Sequence, residues 1–180
     1  MDVRSVYLKN LVGTYRLYRS LGDRAIAQVR VDADLHRTID PDSNSIAIIV
    51  KHVAGNLRSR FRDFLTSDGE KPDRDRDAEF EVGPGLDRGE LMARWEEGWR
   101  TLFAALASLA PGDLLRTVHV RGEPHSVPQA IHRQLTHHAY HVGQLVLLAK
   151  HFAGAGWESL SVPKGKSREL NAEMFAKSGR

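Results

Sequence analysis

Apolar residues recur at steps of three and four in four long stretches of this 180-residue chain, which is the period of an amphipathic helix. Residues 3–31 carry Val3, Tyr7, Leu11, Tyr15, Tyr18, Leu21, Ile26 and Val29. The second stretch starts near "DSNS" (42–45), whose side chains can accept hydrogen bonds from first-turn amides, and reaches about Leu65. Ile46, Ile49, Val50, Val53, Leu57, Phe61 and Phe64 form its stripe. The third, from about Arg88 to Leu109, holds Trp95 and Trp99, which read as core or subunit interface before pocket lining. The fourth runs from Val127 or Pro128 to Phe152. The expected fold is all-α: a four-helix bundle forming one domain over residues 1–180.

Between Thr66 and Leu86 the period disappears and the sequence fills with charge, Gly and Pro, as in "DGEKPDRDRDAEFE". Loops this long are uncommon in compact domains. About 20 extended residues can reach roughly 66 Å, against roughly 36 Å for a helix of about 24 residues. The segment is therefore long enough to cross back along the bundle and join two parallel helices. Its charge run reads as a solvated face. Before the last helix, "LLRTVHVRGEPHSV" places β-branched residues on both sides of an Arg-Gly-Glu-Pro turn, which predicts a small β-hairpin attached to the helices. Past Gly154 only the start of the tail is expected to pack. Lys164, Lys166 and Arg168 read there as an exposed basic tail, with attraction of an acidic substrate as the alternative.

The chain has no cysteine. That removes disulfides, thiolate nucleophiles and every zinc site with a Cys ligand, so a metal would have to be held by His, Asp or Glu. No run of about 18 apolar residues predicts a membrane span, and the charged N-terminal stretch does not read as a secretory signal. The expectation is a soluble cytoplasmic protein. The 26 basic residues nearly balance 23 acidic ones and are interspersed with them, so no basic stripe for nucleic acid is expected.

"HHAYHVGQ" (137–144) concentrates the chemistry. On a wheel of about 100° per residue, His137 and His141 lie about 40° apart at the edge of the apolar stripe, one turn above the other. An i, i+4 imidazole pair on a rigid helix suits zinc, nickel or ferrous iron. A third ligand is best supplied by His52 in "IIVKHVAGN", at the flank of the second helix's stripe. His138 points into the core, where a hydrogen-bonded buried histidine is the expectation. Asn56 and Gln144 are placed either to orient the ligands or to fill polar gaps between helices. The alternative for the whole group is a polar seam hydrogen-bonded across helices, with Gly55 and Gly143 marking close helix packing.

Taken in order, "NSIAIIVKHVAGN", "LTSDGEKPDRDRDAEFE", "RGEPHSV" and "RQLTHHAYHVGQLVLLAKH" resemble the DinB/YfiT-like superfamily, and within it a bacterial branch with a DGEKP loop and an HVGQ motif. The resemblance covers about residues 3–165. It implies an up-down-down-up four-helix bundle with the long segment as its middle crossover. It also implies a divalent metal ion, nickel or zinc or else iron, on three histidines; matched by position these are His52, His137 and His141. Activities known in that superfamily imply a small-molecule substrate such as a low-molecular-weight thiol, with thiol S-transfer or hydrolysis as the reaction. A non-catalytic metal-binding or interaction protein of the same fold is the alternative. A homodimer is expected from the aromatic faces of the helices.

Overall fold

The computed structural model describes residues 2–81 and 85–179. It is mostly helical, with one two-stranded antiparallel hairpin. Helix α1 spans Val3–Ala27, α2 Ile46–Phe61, α3 Arg88–Ser108, α4 Val127–Ala153 and α5 Ser167–Ser178; strands β1 Thr117–Val120 and β2 Glu123–Ser126 precede α4. Capping sets the starts. Ser45 accepts from the Ile48 amide, Asp87 pairs reciprocally with Glu90, and Ser126 does the same with Gln129. Helix α2 stops at Phe61, four residues before the expected Leu65, because Arg62 is extended and Asp63 takes a positive φ of 50°. Helix α5 is absent from the sequence-based expectation. It buries no residue, so it carried no apolar stripe to read.

One apolar core joins the four long helices. It includes Tyr15 and Ile26 from α1, Ile49 and Leu57 from α2, Trp95, Trp99 and Leu102 from α3, and Ile131 and Leu145 from α4. Both tryptophans are buried core residues, not pocket walls. Residue pairings show the helix directions. Gly98 lies against Ala54 and Leu57, and Arg58 pairs with Glu97, while Ala47 shares a cavity wall with Leu91 and Phe61 shares one with Ala104. Thus α2 and α3 run alongside in the same direction. A methyl on Gly98 would come within 2.9 Å of the Ala54 Cα, so this glycine allows the close helix approach. Tyr7 meets His132 and Tyr15 meets His138, so α1 and α4 also share a direction. Against them, α1 and α3 oppose, with Tyr15 beside Trp99 and Gly22 beside Trp95.

The segment between α2 and α3 departs from a solvated face. It is pinned at both ends of "DGEKP". Asp68 accepts from the amides of Glu70 at 2.7 Å, Arg121 at 2.8 Å and Gly122 at 2.8 Å, holding the two-residue hairpin turn, whose central residues both have positive φ. These backbone bonds, with the charge of Arg60 nearby, outweigh burial and keep its carboxyl down at about 2. The Gly69 amide donates to His119 O at 2.8 Å, and Ser59 Oγ donates to Gly69 O at 2.8 Å. Lys71 and Glu79 are buried. Charged residues go inside here because each finds a partner on α2 or within the segment. Among the described residues no helix is long and apolar enough to cross a membrane.

Candidate metal centre

Helix α2 delivers His52 and α4 delivers His137 and His141 to one point. Their Nε2 atoms converge: His52 to His137 is 3.2 Å, and His141 to His137 is 3.1 Å. His52 and His141 are buried, and His137 is half-buried. Behind two of the rings stands an acceptor that sets the tautomer. His52 Nδ1–H donates to Glu79 Oε2 at 2.8 Å, and His141 Nδ1–H donates to Gln144 Oε1 at 2.8 Å. The inward-facing Nε2 of each is therefore a lone pair. His137 Nδ1 is buried without a hydrogen-bond partner.

Without a cation this arrangement is poorly satisfied. Two lone pairs face His137 Nε2, and a single proton there can bridge only one of them. A divalent ion satisfies all three at once. Nitrogens each about 2.1 Å from a common ion stand roughly 3.0 Å apart across a right angle and about 3.4 Å apart across a tetrahedral one. The observed separations fall between these values. Burial first, then the neighbouring histidines, with Arg74 and Arg60 behind them, push the His137 pKa down to about 3. Burial lowers His141 as well, against the hydrogen bond to Gln144. Both imidazoles are neutral near pH 7 and available as ligands. The three histidines can hold a metal ion.

Glu79 is the residue that sequence reasoning missed. Burial alone would raise its carboxyl, but hydrogen bonds from His52 and Arg74 outweigh that and leave it below the ordinary range. Arg74 grips both oxygens, Nε to Oε1 at 2.8 Å and Nη2 to Oε2 at 2.9 Å. The result is a carboxylate–histidine pair of the kind that orients metal-binding imidazoles. Glu79 lies 27 residues from His52 inside a charge run, so spacing carried no signal of it. Gly55 did carry one. A Cβ there would fall 2.1 Å from Glu79 Oε1, so the close approach marked by this glycine is that of a side chain, not of a packed helix. Gly143, by contrast, has open space beside it and marks no close packing.

The other sequence candidates separate. Gln144 stands behind His141 as described. Asn56 hydrogen-bonds none of the candidate ligands: its Oδ1 accepts from His138 Nε2 at 3.1 Å. His138 itself is fully buried among Tyr15 and Trp99, with its pKa held low by burial, and stands outside the cluster as a core histidine. Of the remaining histidines, His132 meets Tyr7 and His36 meets Leu86 O.

The family described as protein of unknown function (DUF1572) matches residues 2–166. The chain belongs to this family. The match takes in every element that builds the histidine cluster and ends just before α5, which in this DUF1572 member buries no residue. No curated protein and no solved structure matches the chain.

Proposed function

We propose that this protein is a divalent-metal-dependent enzyme of DinB-like type, in which His52, His137 and His141 hold nickel, zinc or iron. The carrying observation is the convergence of three imidazole Nε2 atoms whose outward nitrogens are, in two cases, already committed to Glu79 and Gln144. The paired directions of α1 with α4 and of α2 with α3 support an up-down-down-up bundle with the 62–87 connection as its crossover. Three neutral ligands leave positions open, as catalytic zinc sites do and closed structural ones do not. When bound, the ion supplies Lewis acidity, which lowers the pKa of a thiol or water beside it and makes a nucleophile at neutral pH. The residues of the chain supply orientation. Glu79 and Arg74 hold the His52 ring, Gln144 holds the His141 ring, and Phe80, whose ring centroid lies 4.8 Å from that of His52, covers one side. No cysteine is needed, because the substrate brings the thiol. S-transfer or hydrolysis on a small molecule in the cytoplasm is the reaction class. The same reading takes the protein as a homodimer, because Tyr140 and Leu147 lie exposed on one stripe of α4; a 20 kDa species alone in sedimentation would oppose that.

The test is elemental analysis of untagged protein beside His52→Ala and His137→Ala. About one equivalent of a divalent metal in the wild type, lost in both variants, is expected, followed by turnover in a thiol-transfer or hydrolysis screen. A wild type that takes up no metal when supplied would leave a polar seam. Metal without turnover, with melting temperature collapsing on its removal, would make the site structural.

A further inference from the structure

Beside the histidine cluster lies a cavity of about 180 Å³, with His52 and His137 in its wall. It is smaller than the roughly 300–1,000 Å³ of pockets for drug-sized ligands, which limits its occupant to a small molecule. Five guanidinium groups line it: Arg60, Arg74, Arg76, Arg121 and Arg133. No carboxylate among the described residues does. Those nearest are already shared. Glu70 Oε2 accepts from both Arg60 and Arg121, each at 2.9 Å, and Glu79 is held by Arg74 and His52. Arg76 lies over the Phe80 ring at 5.0 Å and, among carboxylates of the described residues, meets the exposed Asp77 at 3.6 Å. Arg133 has no carboxylate within ion-pair distance among the described residues; its Nη1 lies 3.3 Å from His125 Nε2. Five guanidiniums thus share few carboxylates, with Arg60 and Arg121 dividing the single charge of Glu70 and Arg133 holding none, so the cavity carries excess positive charge.

The wall of the cavity also holds buried polar groups. Two buried side chains on this cavity leave polar atoms without partners: Arg60, 7% exposed, at Nε, and Gln134, 6% exposed, at Oε1. A buried donor or acceptor left unmade costs about 1–3 kcal/mol. Both side chains also border a void of about 10 Å³ beside Gly69 and His119, so what they bring to the arginine-lined cavity is a buried charge and a buried amide in its wall.

We propose that this arginine-lined cavity seats the oxyanion, a carboxylate or a phosphoryl group, of the small substrate, so that its reacting part lies at His52 and His137. Planar guanidiniums suit both oxyanions, because each presents parallel N–H groups to two oxygens. The confinement of the arginines to a concavity, instead of a stripe along a helix, favours a small molecule over a polynucleotide. The identity of the bound molecule as substrate rests on the metal-enzyme reading above; the anion seat does not.

The experiment is calorimetric titration of the untagged full chain with inorganic phosphate and, separately, with succinate at constant ionic strength, on the protein as purified and after chelation. Wild type, Arg133→Gln and Arg168→Gln are compared, with metal content measured on each sample. Saturable binding of at least one anion is expected, weakened about tenfold in Arg133→Gln, as for loss of one charge-assisted hydrogen bond, and unchanged in Arg168→Gln on the exposed α5. Phosphate alone would mark a phosphoryl seat and succinate alone a carboxylate seat. The proposal is overturned if neither anion binds, if Arg133→Gln binds as wild type does, if Arg168→Gln is weakened equally, or if binding disappears on chelation. Metal-loaded protein that ignores both anions sinks this inference and spares the metal reading; anion binding by protein that takes no metal does the reverse.

Discussion

At the scale of single residues, Glu79 and Gly55 act as one device. The carboxylate fixes the His52 tautomer, and the missing side chain of Gly55 gives it room, with 2.1 Å to the position a Cβ would take. Glu79→Gln should keep the fold but weaken metal affinity by about 10–100-fold, the usual effect of losing a partner behind a metal-binding imidazole. Gly55→Ala should show the same direction of loss although alanine is the better helix former, because the carboxylate must move. Competition titration with a chelating dye reads both; wild-type affinity in Gly55→Ala would show that Glu79 does not need its position. The buried histidines also set a pH dependence. His137 has a folded pKa of about 3 against an ordinary 6.5, and burial lowers His138 and His141 as well. The unfolded chain takes up those protons first, so their contribution to stability is whole above about 6.5 and is lost as pH falls toward about 3. Thermal melts of chelated protein should show that decline across this window; a flat profile would contradict the buried neutral imidazoles.

At the scale of elements, the connection between α2 and α3 works as a structural part. Asp68 ties its start to the amides of the hairpin turn, and Ser59 on α2 holds Gly69. Asp68→Ala should lower unfolding free energy by about 1–3 kcal/mol in denaturant, the cost of leaving such partners unmet, with helix content by circular dichroism unchanged. The helices themselves were legible because each buries a stripe, and an apolar stripe is a local pattern. Two things were not legible. Helix α5 buries nothing, so no period marked it, and the charged connection looked like a solvated surface because the partners of Glu79, Arg74 and Lys71 are distant in sequence or recognisable only after folding.

For the whole molecule, metal binding and folding should be coupled. A ligand at about 100 times its Kd stabilises the native state by about 2.7 kcal/mol, which for a chain of this size corresponds to roughly 5–10 °C in Tm. Chelation should lower Tm by about that amount and metal should restore it, with His137→Ala insensitive to both. An unchanged wild-type Tm would separate the histidines from any tight metal. The sequence by itself determined the four amphipathic helices, the hairpin, the exclusion of cysteine chemistry and the three histidines at stripe edges, because helical period and residue type are local properties. Tertiary structure alone decided that Glu79 stands behind His52, that Asn56 serves His138, and that five arginines meet beside the cluster. Each of these joins side chains from separate segments, and a hydrogen bond or a charge cluster has no period to read until packing has brought its members together.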